Sequence, residues 1–97
     1  MYVTILSGRV EEENWRTLEK SYERTIRSVP KGVVSSMLIH CKGEPKLWEI
    51  VTTWESFSAF EEAKEKKLTN TCVDLFCSAG TTPYRNEFEV LGKYTRV

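Results

Sequence analysis

The sequence has a single imidazole, His40, and three thiols, Cys41, Cys72 and Cys77, with no CxxC spacing among them. An odd, unpaired set argues against a disulfide framework, and one His cannot complete a Cys/His zinc set, so reduced thiols and no structural metal are expected. Neither sign of charge is in surplus: fourteen Lys plus Arg balance fourteen Asp plus Glu. No global field draws in nucleic acid or anionic lipid, and no basic stripe carries interleaved aromatics, so neither is an expected partner. The opening MYVTILSGRV lacks a basic n-region, and its apolar run is too short for a membrane span. It reads as a first strand, and the cytoplasm is the expected location. There is no repeat, low-complexity tract or linker, and the short Pro/Gly clusters at 30–32, 43–45 and 80–83 are turns within one domain covering residues 1–97.

Against these absences stands the stretch Leu47 to Phe60, LWEIVTTWESFSAF, where an alternating strand runs through Trp54 and Ser56 into an amphipathic helix. Every second residue places Trp48, Ile50, Thr52 and Trp54 on one face, and Leu47, Glu49, Val51 and Thr53 on the other. Both faces are apolar or aromatic enough to need cover. Upstream, residues 2–10 form a β-rich run ending near Gly8, and Glu11, Glu12 and Glu13 suit the positive end of a first helix. Trp15, Leu18, Tyr22, Ile26 and Val29 recur at steps of three or four on its apolar stripe, and Pro30 ends it.

Residues 33–41 and 47–54 flank the connection KGEPK, a hairpin signal. A turn centred on Glu44 sets His40 opposite Trp48, Leu38 opposite Ile50, Ser36 opposite Thr52 and Val34 opposite Trp54. Ser56 or Ser58 caps the second helix, with Glu61 positioned to complete a capping box on Ser58, and Phe57, Phe60 and Ala63 form its apolar side. Thr69, Asn70 and Thr71 break that helix before a further short segment carrying Val73, Leu75 and Phe76; residues 78–85 are a loop and 86–95 a fourth strand. The resulting order is strand, helix, strand, strand, helix, strand: an α+β, ferredoxin-like βαββαβ domain with a four-stranded antiparallel sheet. Right-handed crossovers put both helices on one face. One face carries Met37, Ile39, Val51 and Leu91 and the opposite one Leu38, Ile50, Trp48 and Trp54; whichever of the two the helices leave bare, a homodimer packed sheet to sheet is its simplest cover.

With Pro30-x-Gly32 before the second strand, Thr53-Trp54 ending the third, Glu55-Ser56 starting the second helix and Ala59-Phe60 upon it, the chain resembles the dimeric α+β barrel superfamily. Within that superfamily it is similar to the antibiotic biosynthesis monooxygenase (ABM) domains. The resemblance implies a barrel shared by two sheets and a pocket between each sheet and its helices. Some members oxidise polycyclic aromatic molecules with dioxygen and no metal or flavin, so no cofactor is expected. Haem-degrading relatives use a strand-one Asn with a Trp and a His on the second helical segment; residues 2–10 contain no Asn, and residues 56–77 neither Trp nor His, which disfavours haem degradation.

His40 is the candidate catalytic base, as the only side chain that titrates near neutrality without perturbation; its place beside the hairpin turn also fits a strand-end residue with no catalytic task. Trp48 and Trp54 are candidates to line a pocket and stack an aromatic ligand, or to serve as core. Tyr22, Ser36 and Thr52 bring hydroxyls to the same region, and Phe60 adds an apolar wall. The expected activity is a cofactor-independent monooxygenase-like reaction on a hydrophobic aromatic or quinone-like small molecule. The alternative is a non-catalytic homodimeric ligand-binding or interaction module.

Overall fold

The computed structural model describes residues 1–96. Its elements are β1 (Tyr2–Arg9), a short 3₁₀ turn (Glu12–Asn14), α1 (Trp15–Thr25), β2 (Val33–His40), β3 (Leu47–Trp54), α2 (Phe57–Glu65), α3 (Asn70–Ser78) and β4 (Tyr84–Glu89). The four strands form one antiparallel sheet in the order β2-β3-β1-β4. That is the ferredoxin-like arrangement expected from the element order, and the helices pack on one face.

The period-2 alternation of β1 and β3 decides which side chains meet those helices. Leu6, Trp48 and Ile50 point inward and join Val10, Leu18, Leu75, Phe76 and Ala79 in the main core. A smaller cluster of Trp54, Phe60 and Ala63 closes the other end of the sheet. Gly8 lies where any side chain would collide with α3, since an added Cβ would stand 2.7 Å from the Phe76 ring.

The hairpin register matches expectation for His40 with Trp48, Leu38 with Ile50 and Ser36 with Thr52. It departs at the last pair: Val33, not Val34, faces Trp54, because the register shifts between Val33 and Ser35. The extra residue turns Val34 outward, half exposed. The second helix is capped by Ser56, whose hydroxyl accepts from the Ala59 N–H at 3.1 Å. Ser58 lies inside the helix, so the capping box with Glu61 does not form. Phe57 is half exposed, resting edge-on against Tyr2.

The second helix also stops earlier and by another device than the Thr69–Thr71 run. Lys67 takes φ 60°, the Leu68 N–H donates to the Ala63 carbonyl and the Lys67 N–H to the Lys64 carbonyl. These two bonds define a Schellman ending with lysine in the place usually held by glycine. The fourth strand is shorter and earlier than residues 86–95: it runs Tyr84–Glu89, and Leu91 and Tyr94 lie beyond it, exposed. Leu91 therefore does not belong to the outer sheet face. That face instead carries Val3, Ile5, Met37, Ile39, Val51 and Phe88, with Met37 54% and Phe88 47% exposed.

Candidate functional site

A cavity of about 430 Å³ opens between the helix-facing side of the sheet, α1 and the α2–α3 segment. The volume falls within the range of small-molecule pockets. Strand register builds its floor in two adjacent rows. Ser36, Thr52 and Thr4 stand in one row across β2, β3 and β1; Leu38, Ile50, Leu6 and Arg85 form the next, across all four strands. Leu38 is the one member of these rows that does not line the cavity. Tyr22 and Thr25 of α1 and Cys72 of α3 form walls, Trp54 and Phe60 close one end, and Ile26, Val29, Lys31 and Leu68 stand around it. Ile26 and Val29, expected on the buried stripe of helix one, follow the end of α1 and are largely exposed.

The polar groups inside are few and mostly held in place. The Tyr22 and Ser36 hydroxyls are 2.8 Å apart, joining α1 to the edge strand β2. The Trp54 indole N–H donates to Thr4 Oγ1 at 3.1 Å, which fixes the ring at the end of the cavity and satisfies a buried donor. Arg85 enters from β4: one Nη2–H donates to the Thr69 carbonyl at 3.3 Å, and its guanidinium carbon stands 5.7 Å from the Phe60 ring centroid, in cation–π range. Among the described residues no carboxylate forms an ion pair with Arg85, and no Asp or Glu lines the cavity. Burial pushes the Cys72 thiol up from its usual value, with the positive charge of Arg85 opposing it. Cys72 is therefore held as a neutral, weakly polar wall.

Of the residues singled out in the sequence, Tyr22, Ser36, Thr52, Trp54 and Phe60 all line this one cavity. Trp48 and His40 do not. Trp48 is buried in the main core, with its indole N–H unpartnered among the described residues. His40 stacks on it, ring centroids 4.0 Å apart and nearly parallel, with Trp15 edge-on at 4.7 Å from the imidazole. The His40 Nε2 lies 2.5 Å from the Pro45 carbonyl, so the ring ties the hairpin turn to the end of the sheet. Arg85, Thr4 and Leu6 were not legible as site residues. Arg85 sits in a segment that reads as loop, and only the pairing of β4 with β1 carries it inward beside Leu6.

Among the described residues no three His, Cys, Asp or Glu side chains cluster as a metal site, and no helix is long and apolar enough to cross a membrane.

Solved structures share this ferredoxin-like fold over nearly their whole length. SnoaB, a cofactor-independent oxygenase from Streptomyces nogalater, aligns over 98% of this chain and 98% of its own, with TM-score 0.72 and 17% identity. A protein from Deinococcus radiodurans, provisionally described as an antibiotic biosynthesis monooxygenase, aligns over 100% and 98% with TM-score 0.70 and 15% identity. MhuD, in a mutant form solved with two manganese protoporphyrin IX molecules per active site, aligns over 99% and 100% with TM-score 0.75 and 24% identity. At these identities the shared property is the fold. The sequence matches no protein-family model and no curated protein.

Proposed function

We propose that the protein is a cofactor-independent monooxygenase-like enzyme acting on a hydrophobic aromatic or quinone-like molecule held in the cavity between sheet and helices. The observation that carries this reading is the cavity itself: about 430 Å³, apolar on most sides, with the Tyr22–Ser36 hydroxyl pair at one edge. In such chemistry the substrate supplies the electrons. An activated CH₂ beside a phenol or ketone loses a proton to give an enolate or phenolate. That anion reduces dioxygen; the carbon ends as a carbonyl with one oxygen atom, and the other leaves as water with the two hydrogens.

The protein's task is to exclude water, orient the ring and favour the anion with fixed hydrogen bonds. Tyr22 and Ser36 hold the reacting oxygen, Thr52 stands beside them on the floor, and Trp54, steadied by Thr4, stacks on the ring. The fold shared with SnoaB supports the same class of reaction. The protein works as a homodimer, its apolar outer sheet face covered by that of a second copy.

Oxygen uptake with a panel of hydroxylated tricyclic ketones tests the reading. Wild type is expected to turn over at least one of them, Trp54→Ala to lose at least ten-fold, and His40→Ala to keep its rate, since His40 lies outside the cavity. Ligand binding without oxygen uptake would favour a binding module instead. A stoichiometric Soret shift on haem titration would favour a porphyrin occupant, the alternative that the fold shared with MhuD raises.

A further inference from the structure

The floor of the cavity is chemically lopsided. At the β2 edge stand two hydroxyls, Tyr22 and Ser36; the guanidinium comes from Arg85 on β4, whose backbone lies three strand spacings, roughly 14 Å, from that of β2. Between them the floor is Ile50, Thr52, Leu6 and Thr4. A half-buried charge is ordinarily paired, because desolvation without a partner is costly. Among the described residues Arg85 has the Thr69 carbonyl and the face of Phe60 as partners, neither of which neutralises it. The one other charged side chain lining the cavity, Lys31, is also cationic and is exposed.

From this we infer that the ligand is an elongated aromatic carboxylate: its carboxylate pairs with Arg85 at the β4 edge, and a neutral oxygen meets Tyr22 and Ser36 at the β2 edge. The inference rests on the cavity's being the ligand site and adds the charged group the ligand must carry. A carboxylate suits Arg85 better than the reacting oxygen does. The guanidinium spends one N–H on Thr69, and its remaining donors can meet a planar two-oxygen acceptor in a fork. A phenol, ionising near pH ~10, is neutral at pH 7 and would leave that charge unpaired. Arg85 is thus a specificity-determining residue for a group that takes no part in oxygen transfer, while the reacting oxygen lies at the opposite edge.

Three probes separate the possibilities: anthracene-2-carboxylate, 2-(hydroxymethyl)anthracene and 2-hydroxyanthracene, each titrated at pH 7 by quenching of tryptophan fluorescence. The carboxylate is expected to bind at least ten-fold more tightly than either neutral probe. Arg85→Gln, which can still donate to Thr69, should bring all three within two-fold while leaving the alcohol's affinity unchanged. Arg85→Lys should keep several-fold of the preference, and Lys31→Gln nearly all of it. Equal binding of carboxylate and alcohol by wild type would overturn the inference and leave the cavity reading standing. So would a preference that survives Arg85→Gln, or 2-hydroxyanthracene binding as tightly as the carboxylate with a phenolate absorption spectrum. If folded wild type binds none of the three, the inference and the cavity reading fall together.

Discussion

The Tyr2 hydroxyl donates to Glu87 Oε1 at 2.6 Å, a cross-strand bond between β1 and β4 at the edge of the candidate site. The bond to Glu87, then burial, then the negative charges of Glu87, Glu61 and Glu89 hold the Tyr2 proton, and its pKa is pushed up to about 12. Because the folded value lies above the usual tyrosine value of about 10, the stability this contributes is complete below pH ~10 and is lost as pH rises through the folded value. Absorbance at 295 nm should therefore show a late tyrosine ionisation from Tyr2. Tyr2→Phe should remove that late step, and Glu87→Gln should bring it earlier. A titration of the folded protein that Tyr2→Phe leaves unchanged at its alkaline end would contradict the assignment. The same residue scale separates two conspicuous side chains. His40 stands out in the sequence for its chemistry and proves to be part of an aromatic stack, whereas Arg85, in an unremarkable stretch, proves to be the charge within the cavity.

The second helix is bounded by one favourable and one unfavourable choice. Ser56 supplies an N-cap oxygen, so Ser56→Ala should cost about 1 kcal/mol. Lys67 ends the helix in the left-handed region, where a Cβ is penalised, so Lys67→Gly should stabilise by about 0.5–1 kcal/mol after allowing for the looser unfolded chain. Urea unfolding of the two variants should move the midpoint in opposite directions at constant slope. A destabilised Lys67→Gly would mean that the lysine is held by something other than backbone geometry. The bend matters to the site because Leu68, Thr69 and Cys72, all facing the cavity, follow directly from it.

At the scale of the whole molecule, the two sheet faces have different fates. The helix-facing side is occupied by core and cavity, while the outer side presents Met37 and Ile39 of β2, Val51 of β3, Val3 and Ile5 of β1 and Phe88 of β4 in one row of strands. Contiguous apolar surface of this kind marks an interaction site. Sedimentation at micromolar concentration should show a species of two chains, and Ile39→Lys combined with Phe88→Lys should give a folded monomer, because both side chains are already 40% or more exposed in the single chain. A monomeric wild type would contradict the homodimer. Retention of oxygen uptake by the monomeric variant would show that one chain completes the site.

Alternation and local signals were enough to specify the first three strands, the existence of a fourth, the hairpin register from Ser36 to His40 and a serine cap, Ser56 or Ser58, on the second helix. These depend on nearest-neighbour periodicity, which a sequence carries in full. The bounds and register of β4 on β1, the outward turn of Val34 and the left-handed Lys67 were decided only in three dimensions. Each depends on which distant segment lies alongside, and no local pattern states that. Arg85 shows the consequence: its charge is evident in the sequence, but its position in an apolar cavity, with no carboxylate partner among the described residues, follows only from the strand beside it.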